Sequence, residues 1–76
     1  MPKYENGQNL ERINNNFTYH PPKDDQQVRY VQLRDRAREL ALFANEATPA
    51  SREQSLGFTA LEEAIFWFNA AIARNE

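Results

Sequence analysis

Cysteine is absent from this 76-residue chain, and histidine occurs once. Without cysteine, the chain can form neither disulfide bonds nor zinc–thiolate sites. A lone histidine with scattered carboxylates gives no basis for a structural metal site, and no cofactor is expected. A domain of this size buries only ~60% of the surface of its unfolded chain and commonly needs a disulfide, a metal or a partner chain. Oligomerisation is therefore the expected source of stability.

Other absences narrow the function. No apolar run approaches the ~20 residues that cross a bilayer, and no signal-peptide pattern is present, so we expect a cytosolic protein without a membrane partner. The glycines are only Gly7 and Gly57, which excludes a glycine-rich phosphate loop. A net charge of −2 argues against a binder of long nucleic acids, which would be basic. A small anionic ligand held by a few arginines remains compatible.

The apolar pattern predicts an all-α fold in which two long helices form an antiparallel hairpin. The first helix is expected over residues 25–47, with Asp24 as its N-cap. The second is expected over residues 52–74, after the turn T-P-A-S. Ser51 and Gln54 have the spacing of a capping box. A connection this short between helices makes them antiparallel neighbours.

The N-terminal part of the chain is polar and divides the sequence into two regions. Residues 1–16 are expected either to fray or to form a short helix around Leu10 and Ile13 when docked. Residues 17–23 are expected to form an extended strap, because two prolines there forbid helix. The strap opens the hairpin domain, assigned to residues 17–76.

The second helix is apolar on almost every side. One face carries Phe58, Leu61, Ile65, Phe68 and Ile72. The nearly opposite face carries Leu56, Ala60, Ala64, Trp67 and Ala71. The first helix offers a single stripe to pack against, which consists of Leu33, Ala37, Leu40, Ala44 and Ala47. Because one partner helix covers one face only, the second face is expected to pack on another protomer.

An anion site is predicted on the first helix. Arg34 and Arg38 lie at i, i+4, and Tyr30 lies one turn before Arg34. Arginine binds phosphate oxygens bidentately, and aromatic rings stack on bases with ~1–3 kcal/mol each. Tyr19 in the strap is placed to lie over a base beside them. The alternative is that the arginines of this helix are only solvated, or pair with its acids, Asp35 and Glu39.

Catalytic groups are scarce. His20 has no second histidine, cysteine, serine or aspartate at a readable spacing, so a packing or hydrogen-bonding role is favoured over catalysis. Glu62 and Glu63 point about 100° apart on a helix and cannot share a site within one protomer. They are expected to face solvent or to cap, with a pair across an oligomer axis as the alternative. The chain is therefore expected not to be an enzyme.

Four segments occur in one order with short gaps. They are F-T-Y-H-P-P, Q-x-x-R-Y-x-x-L-R, P-x-S-R-E-Q-S-L and T-x-L-E-E-A-x-x-W-x-N-A-x-I-A-R-N. Together they resemble the phage family of anti-CBASS and anti-Thoeris cyclic-oligonucleotide sponges over roughly residues 17–75. Residues 1–16 lie outside this resemblance. The chain has F-W-F where the family is less aromatic, which adds bulk around Trp67.

The resemblance implies a small, all-helical homo-oligomer, commonly a hexamer of two trimers. Such proteins sequester the cyclic nucleotides of bacterial immunity in the cytoplasm of the infected host and do not cleave them. Cyclic dinucleotides such as cyclic GMP–AMP lie between protomers, and some members hold cyclic trinucleotides near the threefold axis. Which cyclic nucleotide is preferred, cyclic ADP-ribose isomers included, is left open.

The resemblance also implies roles for individual residues. Tyr19 matches the tyrosine that stacks on a cyclic-dinucleotide base, and Arg34 matches the basic residue that contacts the phosphates, with Tyr30 and Arg38 beside it. His20 and Arg74 fall near the trinucleotide site. Two other readings stay open: a helical module that inhibits a host protein through its apolar face, and a small phosphodiesterase, which is disfavoured because no metal set or nucleophile–base pair is present.

Overall fold

The structure is a computed structural model that describes residues 3–4 and 6–76. In these residues it contains α1 (Leu10–Asn16), α2 (Gln26–Ala47) and α3 (Arg52–Asn75), with a 3-10 turn at Gly7–Asn9 before α1, and no strand. The predicted all-α helical hairpin is confirmed. The helix α1 occurs where the sequence allowed a short helix around Leu10 and Ile13.

The turn between α2 and α3 is fixed by side-chain hydrogen bonds. Ser51 is the N-cap of α3, and its Oγ accepts a hydrogen bond from the Gln54 backbone N–H at 3.1 Å. The Gln54 side chain does not return to Ser51, as a capping box would require. Its Nε2 donates instead to the carbonyl and the Oγ1 of Thr48, at 3.1 and 3.0 Å. Thr48, directly after α2, and Gln54, in the first turn of α3, are thus joined directly, which holds the two helices as neighbours.

The start of α2 differs from the sequence-based prediction. Asp24 has a φ of 52°, in the left-handed region that aspartate tolerates better than most residues, so it cannot be the N-cap. Asp25 occupies that position and makes no capping hydrogen bond through its side chain. The first turn is held instead by Gln26, whose Oε1 accepts from the Lys23 backbone N–H at 3.1 Å. The expected Asp24 cap is wrong because the chain turns at Asp24 itself, so the helix begins one residue later than predicted.

The two long helices pack along one row of side chains each. The half-buried row on α2 consists of Tyr30, Leu33, Ala37, Ala41 and Ala44. The half-buried row on α3 consists of Phe58, Leu61, Ile65, Asn69 and Ile72. Leu40 and Phe68, both expected to pack between the helices, are 54% and 56% exposed. The small residues of α2 let the helices meet, but they cover too little surface to bury the larger side chains of α3.

The hairpin leaves far more surface open than a compact chain of its mass. Its accessible area is 6794 Å² at 8.9 kDa, against ~4,800 Å² expected for a compact monomer. Its radius of gyration is 17.4 Å, against ~11 Å expected. No apolar side chain in the described residues is fully buried, and Trp67 and Leu56, on the outer face of α3, are 61% and 50% exposed. None of the helices in that part of the chain is long and apolar enough to cross a membrane.

Candidate functional site

One open cleft lies where the strap crosses the open end of the hairpin. We call it the strap cleft; its volume is about 450 Å³. Its lining residues come from the strap, α2 and the last turns of α3: Asn16, Thr18, Tyr19, His20, Tyr30, Asn69, Ala70, Ala73 and Arg74. Tyr19 and His20 of the strap therefore meet Tyr30 of α2 and Arg74 of α3 in one cleft, although these three segments are far apart in the sequence.

The strap is tied to the hairpin next to this cleft. The Asn15 side chain donates a hydrogen bond to the Arg74 carbonyl at 3.0 Å, which joins the end of α1 to the end of α3. His20 Nε2–H donates to the Asn15 carbonyl at 2.8 Å. Tyr19 lies between Asn15 and His20, which this hydrogen bond joins, and it is 81% exposed. The residue that follows Tyr19 is therefore held, while the Tyr19 ring stays open to a ligand or to another chain.

A second anchor joins the strap and the start of α2 to Glu76. Arg29 donates through both terminal nitrogens to the Glu76 carboxylate, with Nη1 to Oε2 at 2.7 Å. Gln26 Nε2 donates to the same carboxylate at 3.3 Å, and Lys23 Nζ donates to the Glu76 carbonyl at 2.8 Å. The hydrogen bonds from Arg29, then that from Gln26, lower the pKa of Glu76 to about 2. The Arg29 pKa is raised, mainly by Glu76 and further by Asp25 at 3.0 Å.

A further cleft, of about 470 Å³, lies nearer the middle of the hairpin, and we call it the arginine cleft. It is lined by Arg34 and Arg38 from α2, by Glu62 and Phe66 from α3, and by apolar residues of both helices: Ala37, Ala41, Phe58, Leu61 and Ile65. Its walls are apolar except for two cations and one carboxylate. Each cleft is within the ~300–1,000 Å³ typical of small-molecule sites.

The two arginines of this cleft form no ion pair in the described part of the chain and can therefore bind an anion. Within residues 3–4 and 6–76, ion pairs are formed by Arg29 with Asp25 and Glu76, and none by Arg34 or Arg38. The alternative in which these arginines pair with the acids of their own helix is therefore not realised in this part of the chain. Two guanidinium groups one turn apart, to which no carboxylate of residues 3–4 and 6–76 is bound, form a local positive site on a protein of net charge −2.

The two clefts lie on the same side of the hairpin. Four residues advance an α-helix by about 6 Å and return to nearly the same side. Tyr30, Arg34 and Arg38 therefore form one row along α2, and Tyr30 lines the strap cleft while both arginines line the next. On α3, Phe66 in the arginine cleft and Ala70 in the strap cleft are related in the same way. The clefts follow each other along one groove.

The residues predicted from the sequence to bind one ligand are divided between the two clefts. Tyr19 and Tyr30 lie in the strap cleft, whereas Arg34 and Arg38 lie in the arginine cleft, one and two turns further along α2. His20 and Arg74, which the resemblance assigns to a separate trinucleotide site, line the same cleft as the tyrosines: Tyr19, Tyr30, His20 and Arg74. Within one protomer, base-stacking and phosphate-binding groups are thus neighbours rather than a single cluster.

Four polar residues of the clefts were not predicted as site residues: Asn16, Thr18, Asn69 and Glu62. The last two lie on α3. Asn69 lines the strap cleft, and its Oδ1 is buried without a hydrogen-bond partner among the described residues. Its signal in the sequence was its position as the sole polar residue in A-I-F-W-F-N-A-A-I-A. Glu62 lines the arginine cleft, whereas the sequence analysis treated it only as a carboxylate adjacent to Glu63. The residues that line a groove between two helices can be predicted only when the side of α3 that faces α2 is known.

The fold and clefts define a small helical-hairpin protein with a groove that carries aromatic and cationic side chains. A profile of the Acb2/Tad1 hairpin domain matches residues 9–73, and the chain belongs to this family. Membership implies an anti-defence role with cyclic-oligonucleotide sponge activity. The match begins at residue 9 and so includes α1, which lay outside the resemblance seen in the sequence motifs. No curated protein and no solved structure matches the chain significantly.

Proposed function

We propose that this protein binds cyclic nucleotide second messengers in the cytoplasm of an infected bacterium and does not cleave them. Sequestration lowers the free messenger concentration, so CBASS or Thoeris effectors are not activated. The observation that carries this proposal is the pair Arg34 and Arg38, which have no ion-pair partner within the described residues and line the cleft next to the strap cleft. Cyclic dinucleotides, cyclic GMP–AMP among them, are the first ligands to test.

The chemistry of the groove suits such a ligand. A cyclic dinucleotide has two phosphates, which require cations, and two bases, which stack on flat rings. Arg34 and Arg38 supply planar donors for phosphate oxygens, and Tyr19 supplies an 81% exposed ring from a strap anchored at both ends. Nothing in this set is a nucleophile with an adjacent base, so binding without cleavage is the activity that these residues support.

The binding unit is proposed to be a homo-oligomer, with the hexamer as the expected form. The ~2,000 Å² by which the hairpin exceeds a compact monomer is the area that protomer contacts would cover, and it falls in the range of obligate assemblies. Closed symmetry would also bring two copies of the groove together, so that each phosphate and each base meets one arginine and one tyrosine. That duplication explains how so few cations can suffice.

The test is calorimetry with cyclic GMP–AMP on the wild type, Arg34→Ala and Arg36→Ala. Loss of one charge-assisted hydrogen-bond partner is expected to weaken binding by about 10- to 100-fold in Arg34→Ala. Arg36 lies on the same helix but does not line the arginine cleft, so its variant is the matched control and is expected to bind normally. Nucleotide released by heat is expected to be intact. Recovery of hydrolysed nucleotide would contradict this proposal and indicate a phosphodiesterase. Equal weakening of binding in Arg34→Ala and Arg36→Ala would indicate a general effect of charge.

A second candidate rests on the exposed apolar surface. A helical module that inhibits a host protein would use the outer face of α3, where Leu56 and Trp67 are exposed. It would be a monomer or dimer without nucleotide affinity. Light scattering separates the two, because the sponge is expected at six times 8.9 kDa. A monomeric wild type that binds no cyclic nucleotide would favour the inhibitor.

A further inference from the structure

The arginine cleft carries a carboxylate that a simple phosphate site would not have. Glu62 lines the wall opposite Arg34 and Arg38, and it forms no hydrogen bond or ion pair with another residue in the described part of the chain. We infer that Glu62 reads the Watson–Crick edge of a guanine base, and that the preferred ligand is a guanine-containing cyclic dinucleotide. This inference rests on the proposed function and assigns a base preference to the same groove.

Electrostatics is the first reason. A carboxylate repels a phosphate, so a site that only had to hold phosphate would do better without Glu62. The cleft instead combines two cations with one anion and has otherwise apolar walls. Its best occupant is anionic at one end and offers hydrogen-bond donors at the other. A nucleotide has this polarity, with phosphate at one end and the N–H groups of a base at the other.

The donor pattern of the bases is the second reason. A carboxylate has two oxygens that only accept hydrogen bonds. Guanine presents two adjacent donors, N1–H and the N2 amino group, which match both oxygens at once. Adenine presents one amino group flanked by the acceptors N1 and N7, and uracil presents one N–H between two carbonyls. Those acceptors would face the carboxylate, so guanine is favoured over adenine and uracil.

The apolar walls supply the third reason. Phe66 follows Glu62 by one helical turn, lines the same cleft and is 72% exposed. A ring at that position offers a face on which a base can stack while its edge meets the carboxylate. Glu62 and Phe66 therefore form the two parts of one base site.

The chain contains its own control. Glu63 is adjacent in sequence and chemically identical, but it does not line the cleft. It accepts a hydrogen bond from Trp67 Nε1 at 3.3 Å, on another side of α3. Substituting each glutamate by glutamine removes one charge and keeps the size, so the net charge changes equally in both variants, but only Glu62→Gln loses a charge in the cleft.

The experiment is calorimetry of wild type, Glu62→Gln and Glu63→Gln with cyclic di-GMP, cyclic GMP–AMP, cyclic di-AMP and cyclic di-IMP. The hypoxanthine of cyclic di-IMP lacks the N2 amino group. Wild type and Glu63→Gln are expected to bind cyclic di-GMP about tenfold or more tightly than cyclic di-AMP, with cyclic di-IMP between them, as charged hydrogen bonds allow. Glu62→Gln is expected to lose most of this difference, because glutamine has one acceptor only. Circular dichroism checks that both variants keep the helical fold.

The outcomes separate the two proposals. Wild type that binds these ligands without a base preference, or Glu62→Gln that keeps the preference, overturns the guanine assignment and leaves the sponge intact. The same loss in Glu63→Gln overturns it as well, because the effect would then be one of net charge. Wild type that binds none of the four ligands, while cyclic ADP-ribose isomers do bind, overturns the assignment and redirects the sponge to Thoeris signals. Wild type that binds no cyclic nucleotide overturns both.

Discussion

Replacement of Trp67 by alanine tests whether the outer face of α3 is an interface between protomers. Trp67 is 61% exposed within the hairpin, on the face turned away from α2. If another protomer covers it, truncation removes apolar area from that interface and leaves the packing between α2 and α3 unchanged. The expected result is an assembly that dissociates at higher protein concentration than the wild type, with the same helix content.

The size of the effect follows from the exposed area. A tryptophan presents ~250 Å², so the 61% exposed part of Trp67 is about 150 Å². At ~25 cal/mol per Å², full burial of that area contributes ~4 kcal/mol per protomer as an upper bound. Since 1.4 kcal/mol is a factor of about ten in an equilibrium constant, association should weaken by up to ~10³-fold.

Sedimentation velocity across a dilution series measures this shift. Tyr4→Ala is the control, because Tyr4 is 70% exposed but lies before the family-matched residues 9–73, and it is expected to keep the wild-type mass. Two results would refute the reasoning: a Trp67→Ala protein with the wild-type dissociation curve, or a wild type that is monomeric at every concentration. The first would place the interface elsewhere, and the second would leave the open surface to another partner.

Three smaller perturbations test the supports of the hairpin. Ser51→Ala removes the N-cap of α3 and should cost ~1 kcal/mol, or ~4–8 °C in melting temperature, whereas Ser55→Ala, inside the helix, should not lower it. Because the Glu76 pKa is lowered from 4.5 to about 2, the contribution of this carboxylate to stability is complete above pH 4.5 and is lost as the pH falls through about 2. An NMR titration should find a Glu76 midpoint at about 2, and Arg29→Met should raise this midpoint. A midpoint that does not move in Arg29→Met would contradict the anchor. Asn69→Leu removes a buried Oδ1 that has no hydrogen-bond partner among the described residues. Because a buried polar atom without a partner costs ~1–3 kcal/mol, the variant should have a higher melting temperature. A lower melting temperature would mean that this oxygen is hydrogen-bonded in the assembly.

Much of the fold could be predicted from local signals. The turn at Pro49 and the Ser51 cap fixed the start of α3, and apolar spacing gave both long helices. The cap of α2 could not be predicted in this way, because Asp24 and Asp25 are equivalent in sequence and only the backbone turn decides between them. Phe68 was misplaced for a similar reason. Positions 68 and 69 both fit the spacing, and the approach of α2 selected Asn69.

The sequence predicted the individual residues of the candidate site but not their relative positions in space. Arg34, Arg38 and Tyr30 are related by the helix repeat, so their common row was visible in the sequence. Tyr19 and His20 belong to a strap, and no local rule states which end of the hairpin a strap will cross. Their place was decided by contacts over long sequence separations, Asn15 with Arg74 above all. The same contacts brought Arg74 to the tyrosines.

The sequence by itself determined the helices, their antiparallel order and the excess of apolar surface, since all three follow from local spacing, a short turn and the composition of α3. It also determined which residue types are available to a nucleotide. Only the tertiary structure decided which of them face one another. Side chains such as Glu62 and Glu63 are neighbours along the chain, yet the rotation of α3 against α2 puts Glu62 in a cleft with two arginines and Glu63 beside Trp67.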